Sequence, residues 1–204
     1  MFGKFASEAL GISDIGRIIE PKDFNKVDCD DYIMHEKGEK IYFLIKSKTD
    51  EYCFTNLAFL HLDGESALSK KRLLKRYDYC KHDISHVLLE TAGTIDLDVE
   101  LKFRLSGLEF SIDVHKEHLE HLKDIYKALI EMSHLMETER RELGIVEQSL
   151  QMVVNSLARQ QGQNQAIASQ ASELYHFYQS TLAQASNEAN RKDYSQVFEL
   201  FIRN

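Results

Sequence analysis

The chain has 204 residues, 43% of them hydrophobic, with 25 basic and 33 acidic side chains and a net charge of −8 at pH 7. That length carries one medium domain and a smaller appendage, and an acidic surface argues against nucleic-acid binding. No signal pattern opens the chain, no apolar run approaches the roughly 18 residues of a membrane span, and the three cysteines (Cys29, Cys53 and Cys80) form no CxxC, so the expectation is a cytoplasmic protein without a disulfide framework, structural metal or cofactor.

Residues 2–10 (FGKFASEAL) read as a short helix stopped at Gly11, and the only proline, Pro21, starts a connecting segment. The acidic group Asp28, Asp30 and Asp31 precedes a short strand at Tyr32, Ile33 and Met34, and Gly38 marks a turn. Residues 41–45 (IYFLI) form a buried strand, residues 46–51 an exposed hairpin loop, and residues 52–62 (YCFTNLAFLHL) one long aromatic strand bounded by Asp63 and Gly64. Residues 69–79 and 84–91 supply two more strands.

The clearest local signal follows. Leu97, Val99, Leu101, Phe103 and Leu105 alternate with polar residues, as do Leu108, Phe110, Ile112 and Val114, around the turn pair Ser106-Gly107. A two-residue loop sets Leu105 opposite Leu108, Phe103 opposite Phe110 and Leu101 opposite Ile112, with all of them on one face. The period then lengthens to that of a helix. Leu119, Leu122, Ile125, Tyr126, Leu129 and Ile130 make one stripe, which predicts an amphipathic helix closing a one-faced antiparallel sheet.

Beyond residue 133 glutamine, alanine, serine and glutamate become frequent, and a heptad runs through Leu122, Leu129, Met136, Leu143, Leu150 and Leu157. Its companions are Ile125, Met132, Val146 and Val153, interrupted by Glu139. The Gln-rich residues 160–165 break the pattern; a second helix over 166–190 uses Ile167, Ala171, Leu174, Tyr178, Leu182 and Ala185. These two predict a helical hairpin. A last short helix starts near Asp193, with Tyr194, Val197, Phe198 and Phe201 on one side. The division into parts is placed at residues 1–132 and 133–204, with net charges of −6 (19 basic, 25 acidic) and −2 (6 basic, 8 acidic).

Seven short strands and a capping helix, carried by residues 41–62, 71–79, 84–91, 97–114 and the stripe over 119–130, resemble the bacterial pleckstrin-homology (PH) domain family. The remainder resembles the helical oligomerisation region of YvbH-like members. The resemblance implies an α+β fold: a PH-like, partly open barrel of two antiparallel sheets capped by a helix and followed by an α-helical hairpin. It also implies self-assembly through strand edges, and no catalytic residue carries over. Eukaryotic relatives often bind phosphoinositides through basic residues around the first hairpin and keep a tryptophan in the capping helix. This chain has no tryptophan, and Lys46 and Lys48 are followed at once by Asp50 and Glu51, which argues against lipid headgroups.

The candidate anion or partner patch is Lys46, Lys48, Lys71, Arg72, Lys75 and Arg76, in a strand that also carries Lys70. Its competing reading is a set of charges that guards an edge strand, paired with Asp78 and Asp83. His115, His118 and His121 recur every third residue, but such spacing turns about 60° per step on a helix, so their rings do not converge on one metal. Cys80, His82 and His86 would be the centre of a thiol enzyme only if they shared a pocket. The candidate oligomerisation seam is Met136, Leu143, Val146, Leu150, Val153 and Leu157. The expectation is a non-enzymatic scaffold that self-associates and meets a protein partner. The alternative is an anionic-lipid or phosphate adaptor using the strand from Lys70 to Arg76. Membrane-surface contact by the aromatic last helix is disfavoured because Arg191, Lys192 and Arg203 are offset by Asp193 and Glu199.

Overall fold

The computed structural model describes residues 15–64, 72–91, 98–160, 167–189 and 193–202. Two compact units emerge, Met1–Ser133 with Lys192–Asn204, and His134–Arg191. The helix expected over residues 2–10 and the start of the basic strand, Lys70 and Lys71 included, lie outside the described residues.

In the first unit, β1 (Arg17–Ile18), β2 (Ile41–Lys46), β3 (Glu51–Thr55), β4 (Ala58–Gly64) and β5 (Arg72–Asp78) form one antiparallel sheet in that order. A second sheet holds β6 (Ile84–Glu90), β7 (Asp98–Leu105) and β8 (Leu108–His115). The sheets are stitched on one side, where Gly16 donates to Asp113 O at 2.8 Å and His115 donates to Gly16 O at 2.9 Å. On the other side no ladder joins β5 to β6 among the described residues. The result is a partly open barrel.

The β7–β8 hairpin has the expected register, Leu101↔Ile112, Phe103↔Phe110 and Leu105↔Leu108. Ser106 and Gly107 both take positive φ, 47° and 88°, the conformation a two-residue hairpin turn needs and glycine adopts without strain. Val99, Leu101, Phe103, Leu105, Ile112 and Val114 are buried, whereas Leu108 at the hairpin tip is exposed. Phe103 and Phe110 meet Phe59 edge-on at 5.3 and 5.0 Å, and Phe54 lies 5.9 Å from Phe103. The space between the sheets is thus an aromatic core, held by area burial and by quadrupole-favoured ring angles.

Two expectations about strands need correction. Residues 52–62 are two strands, not one. Thr55 Oγ1 accepts the Leu57 and Ala58 N–H groups at 3.1 and 2.9 Å, closing a turn inside the aromatic run. Tyr32, Ile33 and Met34 are not a strand. The chain there runs through three 3-10 helices, Pro21–Lys26, Asp28–Tyr32 and His35–Lys37. Buried carboxylates take the backbone donors that a ladder would need. Glu51 accepts the Cys29 N–H at 2.8 Å and Glu39 the Met34 N–H at 2.8 Å. Val27, Cys29 and Ile33 cover the outer face of the first sheet, packing into one cluster with Leu44, Cys53 and Leu60.

A single helix, α1 (Leu119–Gln160), follows the barrel. Its first turns bury Leu122, Ile125, Ala128, Leu129 and Met132; of the predicted stripe, Leu122, Ile125 and Leu129 are buried and Leu119, Tyr126 and Ile130 half-buried. The second unit comprises the rest of α1 together with α2 (Ile167–Ala189). The last helix, α3 (Ser195–Phe201), belongs to the first unit. Phe198 stacks on Tyr42 at 5.1 Å, Tyr194 meets Tyr79 edge-on at 5.6 Å, and the Tyr42 hydroxyl donates to Glu199 at 2.9 Å.

Asp193 fixes the entry to α3. Its carboxylate accepts from Ser195 N at 2.7 Å and from Asn56 Nδ2 at 2.8 Å. Burial opposes its charge, but the bonds from Ser195 and Asn56 outweigh that and hold the carboxyl below its ordinary range. A carboxylate depressed in the folded state stabilises it above an unfolded pKa of about 3.9, and this contribution is lost as pH falls through the folded value. Asp193→Asn is therefore expected to flatten the decline of the thermal midpoint below about pH 4, followed by circular dichroism across a pH series. An unchanged acid slope would take Asp193 out of the account.

Candidate binding surface

The basic strand is built from alternation. On β5, Arg72, Leu74 and Arg76 share one face and Leu73, Lys75 and Tyr77 the other. Each described cation of the patch except Lys48 meets a carboxylate. Arg72 Nη1 lies 2.6 Å from Asp28 and 3.6 Å from Glu51, and Lys75 Nζ lies 2.9 Å from Asp63. Arg76 forks onto Glu39 at 3.0 and 3.1 Å and also reaches Asp78 at 2.7 Å. Lys46 lies inside the protein rather than in an exposed loop: it pairs with Glu51, and both side chains are buried. Lys48 is exposed on the adjoining turn. Four of the patch cations are thus held by carboxylates, Lys46 and Arg72 around the shared Glu51, Arg76 on Glu39 and Asp78, and Lys75 on the opposite face at Asp63. An incoming anion would have to displace a carboxylate at each of these four.

The strand edges differ in regularity. β5 keeps an unbroken seven-residue register with β4 and leaves Leu73 exposed on the rim. β6 carries a register shift between Ser85 and Leu88, with His86 at φ 52°. A bulge of this kind spoils an edge for pairing. β5 is the better template for a further strand.

The chemistry-bearing residues of the hypothetical thiol centre separate. His82 Nδ1 lies 3.1 Å from Asp78 O, and its ring meets Tyr77 edge-on at 5.5 Å. His86 instead lines a cavity of about 250 Å³ with Leu88, Lys102, Phe110 and Ser111, to which neither Cys80 nor His82 contributes. His118 and His121 stand with ring centroids 6.3 Å apart and steeply inclined. A cluster that the sequence reading missed is Asp50, His61 and Asp63, whose ligand atoms lie within 4.8 Å of one another. The pattern His61-x-Asp63 on a strand was its only sequence signal, because alternate residues share a face.

Along the seam in the second unit, Met136 and Leu150 are buried, Leu143 and Val146 half-buried, and Val153 is 46% exposed. Leu157 is helical in backbone. On α2, Leu174, Tyr178, Leu182 and Ala185 are half-buried, as a stripe with a three- to four-residue step requires. Ile145, Met152, Tyr175 and Phe177 remain exposed. Among the described residues no helix is long and apolar enough to cross a membrane.

Residues 9–133 match the bacterial PH domain family, and residues 145–204 match a YvbH-like oligomerisation region. The chain belongs to the bacterial PH domain family. It is 52% identical to the protein YvbH of Bacillus subtilis (strain 168) over 204 residues, the whole of both chains. It is 33% identical to YjqA of the same organism over 94 residues, 46% of this chain and 74% of YjqA. The crystal structure of a PH domain-containing bacterial protein from Exiguobacterium sibiricum 255-15 is 47% identical and superposes with a TM-score of 0.85. That likeness covers 93% of this chain and all of the other.

Proposed function

We propose that the protein is a non-enzymatic intracellular scaffold, which self-assembles through the β5 edge and its helical extension and presents the assembled barrels to a protein partner. The observation that carries this reading is the apolar surface of the extension. Ile145, Met152, Val153, Tyr175 and Phe177 are all exposed in a region that matches an oligomerisation module. The match to an oligomerisation region supports reading that apolar exposure as an association surface, and a second contact at the strand rim would add avidity. The anionic-lipid reading ranks below it, because Arg72, Lys75 and Arg76 already neutralise carboxylates.

Light scattering of the intact chain across micromolar concentrations is the test. The intact protein is expected to give a mass several times that of one chain, and the pair Met152→Glu with Phe177→Glu is expected to lower it. A single-chain mass for the intact protein at every concentration would overturn the proposal. Truncation after residue 132 is a poor substitute, since it removes Tyr194 and Phe198 from the barrel as well as the extension.

A further inference from the structure

At one end of the first sheet, on the face turned toward the second, four charged or titratable side chains meet. His61 and Asp63 alternate on β4, Lys75 is the register partner of His61 on β5, and Asp50 comes from the turn between β2 and β3. His61 Nε2 lies 2.9 Å from Asp50 Oδ1, and Lys75 Nζ lies 2.9 Å from Asp63 Oδ2. We propose that Asp50, His61 and Asp63 form a site for a divalent transition-metal cation of the zinc class, for which the Lys75 ammonium stands in.

Three features support a built site rather than a chance meeting of charges. First, the ligands are held. Asp50 accepts from Thr49 Oγ1 at 2.6 Å, and the Asp50 and Thr49 N–H groups both point to Ser47 Oγ. The His61 ring lies flat on Tyr52 at 4.6 Å with Phe110 edge-on at 6.3 Å. The turn rests directly on the end of β4, because a Cβ on Gly64 would meet Thr49 O at 2.5 Å. Second, the spacing suits a small ion. The three ligand atoms already lie within 4.8 Å of one another, and ligands at about 2.0–2.1 Å around a tetrahedral zinc sit roughly 3.3 Å apart. Third, the donor set is selective. An imidazole nitrogen with two carboxylates suits zinc and its neighbours rather than magnesium or calcium, which prefer all-oxygen shells.

Bound there, a cation would clip the β2–β3 turn to β4, and Lys75, whose side chain is partly exposed, would swing outward. Isothermal titration of the chelator-treated full chain with Zn2+ tests this, with the visible absorption of Co2+ as a second readout. One equivalent is expected to bind and to raise the thermal midpoint. His61→Ala and the near-isosteric Asp63→Asn should each lose that uptake while retaining the circular dichroism of the parent. Lys75→Met, which removes the competing ammonium, should bind more tightly than the parent. The chain holds nine histidines, so uptake that survives both His61→Ala and Asp63→Asn would mean the ion sits elsewhere and would overturn the site. Absence of uptake in both the parent and Lys75→Met would overturn it equally. None of these outcomes depends on whether the chain self-assembles.

Discussion

Replacing Phe198 with alanine is expected to cost about 3–5 kcal/mol of stability. The residue lies 65 positions beyond Ser133, where the main segment of the first unit ends, yet its ring is fully buried and stacked on Tyr42 of β2. Deleting it loses the transfer free energy of an aromatic ring and leaves a hole that the stiff sheet beneath closes only partly. Against a total of about 5–15 kcal/mol for a native domain, that is a large share. Leu200 provides the control. It sits on the same helix but is 67% exposed, so Leu200→Ala should shift stability by no more than about 0.5 kcal/mol. Urea unfolding at one fixed protein concentration measures both. If Phe198→Ala unfolds no earlier than Leu200→Ala, then α3 is not an integral part of the barrel.

A comparable loss is expected at Glu51. Its buried carboxylate pairs with Lys46, faces Arg72 at 3.6 Å, and accepts the Asp28 and Cys29 N–H groups at 3.3 and 2.8 Å. Glu51→Ala leaves the Lys46 ammonium buried without its partner, which costs about 3–5 kcal/mol. The double variant Glu51→Ala with Lys46→Met removes both charges and should recover much of that loss. Recovery should stop short of the parent, because two backbone donors still lack their acceptor, at roughly 1–3 kcal/mol for each one that is buried. The same unfolding measurement decides it. A double variant no more stable than Glu51→Ala would mean that the carboxylate acts through the backbone bonds alone.

Local rules reached far into this chain. The β7–β8 hairpin was legible to the residue, because strict alternation around Ser106-Gly107 admits one register that buries Phe103 and Leu101 together. The capping stripe from Leu122 to Leu129 was equally plain. The errors arose where side-chain hydrogen bonds and contacts that the polar/apolar pattern does not carry decide the outcome. Lys46 and Glu51 read as loop charges because the groups that enclose Glu51, namely Asp28, Cys29 and Arg72, lie more than twenty residues away in sequence. Tyr32, Ile33 and Met34 look like a strand by composition, but the Met34 N–H goes to Glu39 and the Ile33 N–H to Asp30 O. The aromatic run over 52–62 hid a turn made by one threonine side chain. Asp50, His61 and Asp63 converge only once three strands have paired. On α3 the apolar side was correctly chosen, but its seat on Tyr42 and Tyr79 lies more than a hundred residues back.

The interrupted first unit also sets an order of events during synthesis. The 58 residues of His134–Arg191 must be translated before Tyr194 and Phe198 exist, a delay of roughly 3–12 s at bacterial and eukaryotic elongation rates. During that interval the nascent barrel shows the ribosome's surroundings the bare rings of Tyr42 and Tyr79. Sealing of the first unit by Tyr194 and Phe198 therefore follows synthesis of the whole inserted segment.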